Sequence, residues 1–157
     1  MSRASKGRLV AYWVTTGLVA FCMLSGGVTQ VLHVPGSMEA FTALGYPVHF
    51  VTLLGIWKIL AAPALLAPRL PRLKEWAYAG IAFDLSGAAF AWASVGGGDP
   101  AAGPLGTAGH VFAPLAILAV AVTSWALRPD SRKLVATAVP STEPSKSPAG
   151  LQPAVSA

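Results

Sequence analysis

Four apolar runs, separated by short segments rich in glycine, proline or basic residues, set the pattern of this 157-residue chain. Residues 9–32, 48–67, 75–96 and 107–127 each approach or exceed the ~20 residues that a helix needs to cross hydrocarbon. The pattern predicts an all-α fold, an integral membrane bundle of four transmembrane helices. A cleaved leader is the rival reading of the first run, which follows the basic start Arg3, Lys6, Arg8. That run is too long, no A-x-A site follows it, and three more runs come after.

The connecting segments add detail. Pro35-Gly36 and Gly45-Tyr46-Pro47 bracket residues 37–44, which predict a short interfacial helix capped by Ser37, with Met38, Phe41 and Leu44 on one side. Pro63 removes a backbone hydrogen bond inside the second run and predicts a kink, and Pro68 ends that run. Glu75 opens the third run, where a carboxylate suits the helix dipole. The loop at 96–106 is rich in glycine, but no strand precedes it and no GK[ST] follows, so it is not a phosphate loop. After Arg128-Pro129 the composition turns to Pro, Ser, Ala and Thr, and residues 129–157 predict a disordered cytoplasmic tail.

Composition agrees with the pattern. Hydrophobic residues make up 54% and charged residues 11%, against about 25% charged in soluble domains. The net charge of +5 does not indicate nucleic acid, because nearly all Lys and Arg residues fall in three clusters between apolar runs rather than along one helix face. Those clusters are the N-terminus, the turn with Arg69, Arg72 and Lys74, and the tail with Arg128, Arg132, Lys133 and Lys146. The other two loops carry no Lys or Arg, so the positive-inside rule puts both termini and the middle turn in the cytoplasm. Tyr12, Trp13, Trp76, Tyr78 and Trp125 fall near the inner boundary, Tyr46 and Trp92 near the outer one. The single cysteine, Cys22, excludes an internal disulfide, a CxxC couple and a cysteine-based zinc site, and reads as a small apolar residue.

Two ionisable residues interrupt the runs. Lys58 and Asp84 each lie about ten residues from the basic turn, so in an antiparallel hairpin they share one depth, ~15 Å in. Each alone costs roughly 2.5–3.5 kcal/mol at mid-membrane, and pairing them is the cheapest way to carry both. Small residues flank each: Gly80, Gly87 and Ala91 around Asp84, and Gly55, Ala61 and Ala62 around Lys58. These stripes predict that both charges face the bundle interior. With Ser25, Gly26, Gly27 and Gln30 of the first run, and with Trp57, they outline a polar pocket for a quinone headgroup, a proton relay or a small substrate. The alternative is a structural ion pair that fixes helix register. His33, His49 and His110 fall at outer helix ends, where with Glu39 and Asp99 they are weak metal candidates lacking any close ligand motif. No nucleophile elbow, HExxH or paired carboxylates occur, so no metal centre and no catalytic residue is assigned.

The hairpin residues resemble a known family. Gly55-x-Trp57-Lys58, followed by Pro68-x-x-Pro71-Arg-Leu-Lys-Glu-Trp-Ala-Tyr-Ala-Gly80-x-x-Phe83-Asp84-x-x-Gly87-Ala-Ala, is similar to the signature of DoxX-like small membrane proteins. Tyr12-Trp13 and Gly45-Tyr46-Pro47 fit as well, and the resemblance spans roughly residues 9–128. It implies a four-helix bundle in a bacterial inner membrane. The wider group is named for a subunit of a thiosulfate:quinone oxidoreductase, which brings a quinone cofactor and a redox partner protein into view. Many members carry a His late in the third helix, where this chain has Trp92, so any role of that His does not transfer. Three functions stay open: an accessory of quinone-linked redox chemistry, a non-enzymatic protein that binds a partner, and a transporter or proton-conducting homo-oligomer. Whether the chain is an enzyme stays open with them.

Overall fold

The computed structural model describes residues 3–95 and 106–129. Within them lie five helices and no strand: α1 (Arg3–Val31), α2 (Pro35–Ala43), α3 (Val48–Leu66), α4 (Pro71–Val95) and α5 (Gly106–Leu127). The glycine-rich loop and nearly all of the tail fall outside the described residues. α2 is the short helix expected between the first two runs, but Val34 rather than Ser37 is its N-cap. No side chain caps it, because Pro35 is already set for the first helical position. α3 continues through Pro63 to Leu66. Three helices are long and apolar enough to cross a membrane, over Lys6–Val31, Val48–Leu66 and Ala108–Leu127. α4 is longer than α3 at 25 residues but less apolar, with Asp84 near its middle.

The four long helices form a ring in which α1 touches α3 and α5, and α4 touches the same two. Their common core holds Val19 and Met23 of α1, Leu65 of α3, Ile81 and Leu85 of α4 and Ala121 of α5. On α4 the buried positions are Lys74, Tyr78, Ile81, Leu85, Ala89 and Trp92, a stripe at three- and four-residue spacing. This overturns the expected inward stripe of small residues. Gly80 and Gly87 are exposed, and a Cβ added at either meets nothing within 4 Å. The reason is area: turning Tyr78, Ile81, Leu85 and Trp92 inward removes far more apolar surface than burying glycines would.

Glycines do set the α1–α3 crossing. A Cβ built on Gly27 stands 2.7 Å from the Gly55 carbonyl oxygen, and one built on Gly55 stands 2.8 Å from that of Gly27. Only hydrogen side chains allow two backbones so close. At the α3–α4 turn end, Arg8 Nη2 donates to the Arg128 carbonyl at 3.5 Å, and Arg128 pairs with Glu75. The start of α1, the α3–α4 turn and the end of α5 therefore gather at one end, with Arg8 and Arg128 in contact there. Large apolar side chains such as Phe21, Trp76, Phe83 and Phe90 point outward from the ring.

The two kinds of glycine should separate in stability measurements. Gly27→Ala or Gly55→Ala should cost roughly 1–3 kcal/mol by overpacking the crossing. Gly80→Ala and Gly87→Ala should be neutral or stabilising by up to about 1 kcal/mol, since they add helix propensity in open space. Thermal unfolding of the four variants in one detergent ranks them directly, and equal losses at all four sites would contradict the crossing geometry.

Candidate functional site

Lys58 reaches across from α3 to Asp84 on α4, with Nζ 3.3 Å from Oδ2 and side-chain exposures of 15% and 16%. That separation exceeds the ~2.7–2.9 Å of a charge-assisted hydrogen bond. Consistent with it, Asp84 Oδ2 is buried and receives no hydrogen bond. The two groups are an ion pair held at arm's length.

The pair forms the polar patch in the wall of a 570 Å³ cavity between α3 and α4. α3 contributes Leu54, Trp57, Leu60, Ala61 and Ala64, α4 contributes Leu73, Trp76, Ala77, Gly80, Ile81 and Phe83, and Met23 of α1 reaches it from the core. Trp57, Trp76 and Phe83 stand on its outer rim, being 63%, 80% and 79% exposed. The cavity thus opens sideways, away from the bundle axis.

Of the residues expected to line a pocket, Trp57 and Gly80 do so, beside Lys58 and Asp84. Ser25, Gly26, Gln30, Gly55 and Gly87 do not. Ser25 is exposed and donates to the carbonyl of Cys22 in its own helix at 3.2 Å. Gly26 and Gly87 have open space around them. Gly55 and Gln30 are consumed by the α1–α3 crossing, where a Cβ on Gly55 would stand 2.9 Å from that of Gln30. Gln30 is buried there with its Oε1 unbonded.

Lys74 is the residue that sequence reasoning misplaced. Counted among the charges of a basic turn, it is fully buried, and its ammonium donates to the carbonyls of Leu65 and Ala64 at the end of α3. Proline explains the need. Pro68 has no N–H to offer the Ala64 carbonyl four residues back, and α3 ends before Leu65 finds a partner of its own. A cation at a helix C-terminus also opposes the negative end of the dipole. The signals were present, because Pro68 orphans a carbonyl and Lys74 falls in register with Tyr78, Ile81 and Leu85.

A second polar cluster at the turn end also escaped the sequence reading. Ser124 shares hydrogen bonds with Thr16 at 2.7 Å and with the Tyr78 hydroxyl at 2.8 Å, all three buried. Arg128, 3% exposed, holds its Nη1 2.7 Å from Glu75 Oε1, a salt-bridge contact rather than an aligned hydrogen bond. Its guanidinium lies 5.3 Å from the Tyr78 ring centroid and 5.2 Å from that of Trp125. Trp125 Nε1 donates to the other Glu75 oxygen at 2.9 Å. The cluster ties α1, α4 and α5 together.

The histidines do not converge. His33, in the left-handed region with φ 52°, closes α1 and shares a hydrogen bond with Thr52 at 2.8 Å. His110 stacks on Trp92 with ring centroids 4.3 Å apart, and His49 is exposed. No group of three or more His, Cys, Asp or Glu stands together among the described residues, and Asp99 lies outside them.

Lys74→Met should cost roughly 2–3 kcal/mol, because it leaves two buried carbonyls without a donor. Arg72→Ala, at an exposed position two residues away, should stay within ~0.5 kcal/mol. Paired denaturation curves check this, and similar small losses would mean that Lys74 is solvated.

No curated protein and no solved structure matches this chain. Residues 14–124 match the profile of the DoxX-like family. That match takes in α1 from Val14, the α3–α4 hairpin with its ion pair and cavity, and most of α5. Together with the three apolar helices it marks the chain as a membrane protein and a member of the DoxX-like family.

Proposed function

We propose that this chain is a four-span protein of the bacterial cytoplasmic membrane whose α3–α4 cavity receives a quinone headgroup at Lys58 and Asp84. In this reading it serves as a subunit or accessory of a quinone-linked redox system. One observation carries it: the ion pair borders an open 570 Å³ cavity instead of lying in a closed bundle centre. A pair kept only for register has no need of a cavity, whereas ligand sites of about 300–1,000 Å³ with apolar walls and few polar groups are typical of small-molecule binding. The fit is chemical as well. Lys58 offers ammonium donors to a ring carbonyl, and Trp57, Trp76 and Phe83 offer flat apolar surface to a ring and tail. A bound quinone would supply the electron-carrying chemistry, while the chain's own groups position the headgroup and shield it from water.

A single cysteine cannot form a dithiol couple, and in this reading the electrons come from a partner protein docked on the bundle. α4 is taken as the fourth span because Lys58 offsets the cost of Asp84 at mid-depth. By the positive-inside rule, the basic residues at the turn end support a cytoplasmic position for that end and for both termini.

Two measurements test these points. A soluble quinone analogue at about 100 times its dissociation constant should stabilise the purified protein by roughly 2.7 kcal/mol, seen as a rise in Tm. The shift should vanish in a Lys58→Met/Asp84→Leu double variant; no shift in wild type would leave the pair as a structural device. For orientation, Thr42→Cys and Ser145→Cys can be placed separately on a Cys22→Ser background. A membrane-impermeant thiol reagent applied to intact cells should label the first and spare the second, and the reverse result would invert the topology.

A further inference from the structure

Resting on that reading of the cavity, we infer that the site selects the hydroxyl-bearing, reduced form of its ligand, a hydroquinone, and that Asp84 is the residue that makes the selection. The reasoning begins with what the pair leaves unused. Lys58 has three N–H donors and one ionic contact, at 3.3 Å. Asp84 can only accept; its buried Oδ2 has the Lys58 contact and no aligned hydrogen bond, while the side chain, 16% exposed, also lines the cavity. The surrounding wall is apolar, from Leu54, Ala61, Ile81 and Phe83. Hydrocarbon offers no donor to a carboxylate, and one long ionic contact leaves most of its accepting capacity unused.

An occupant that stabilises this site therefore brings an O–H to Asp84 and an oxygen acceptor to Lys58. A phenolic hydroxyl does both, since it donates one hydrogen bond and accepts others. A quinone carbonyl only accepts; it satisfies Lys58 and brings the carboxylate no donor of its own. No electron transfer is required for this discrimination, which is a difference in binding. In membrane terms, the chain withdraws hydroquinone from the lipid pool in preference to quinone.

The experiment compares three probes of one ring on the full-length protein in nanodiscs: a short-tailed quinone, its hydroquinone kept anaerobic, and the hydroquinone dimethyl ether. The ether keeps shape and apolarity but cannot donate. Quenching of tryptophan fluorescence gives each dissociation constant. Hydroquinone should bind about tenfold or more tightly than either of the others, a difference of ~1.4 kcal/mol. Asp84→Asn, neutral and of the same shape, should narrow that preference at least about threefold, a charged acceptor being the stronger one. Equal binding of all three to wild type overturns the selection and leaves a quinone site standing. A preference unchanged in Asp84→Asn overturns the assignment to that residue. Binding of none of the three overturns the site itself.

Discussion

Two lysines hold α3 to α4, and the open side of the bundle depends on them. Lys58 spans to Asp84 in the middle of the hairpin, and Lys74 returns from α4 to the carbonyls at the end of α3. Elsewhere in the ring, contact is made by apolar side chains, by backbone against backbone, and at the turn end by the Ser124 and Arg128 cluster. Polar tethers need only two points of attachment, so they leave the helices apart between them. In surroundings of low dielectric such contacts are stronger than they are in water. A hairpin closed by leucines would fill its own groove, whereas this one is held and still hollow.

The opposite face of α3 explains why the hairpin keeps its shape. Gly27 and Gly55 let α1 lie directly on α3, and that contact uses up the small residues that might otherwise have lined a pocket. At the turn end, Ser124 bridges Thr16 and Tyr78 while Arg128 binds Glu75, so α1, α4 and α5 are fixed to each other by hydrogen bonds and charge. α3 is thus held on α1 and α4 on α5, and the cavity lies on the remaining seam. Its width is set by these two pairs of helices, which are joined to each other through α1 and α5.

Much of this was legible from the chain, for identifiable reasons. Apolar run length gives the helices, and equal distance from a basic turn gives the shared depth of Lys58 and Asp84. Helix rotation was not legible. α3 is apolar on every side, so its pattern gives no phase, and Gly55 and Lys58 looked like parts of one stripe although one serves α1 and the other α4. On α4 the phase was written in Tyr78, Ile81, Leu85 and Trp92, but a rule favouring small residues at membrane interfaces pointed to Gly80 and Gly87 instead. Lys74 was lost by treating a basic residue beside a turn as solvated. Its role follows from backbone bookkeeping, because a proline that ends a helix leaves a carbonyl for some other donor to satisfy.

The molecule contains its own comparison for the central pair. Arg128 and Glu75 show what a structural ion pair looks like here. They stand 2.7 Å apart, with Trp125 donating to the second carboxylate oxygen and aromatic rings against the guanidinium. Arg128 is buried under those rings, and Glu75 keeps one side open at 30% exposure. Lys58 and Asp84 stand farther apart, share no aligned hydrogen bond, and border an open space. The same chain that supports one pair with a tryptophan N–H and two aromatic rings gives the other no such neighbours, in the part of the bundle where unmet polar groups cost most. Register between α3 and α4 is already set by Lys74 and the turn. In the proposed function, what the central pair adds is an address for a polar group arriving from the lipid.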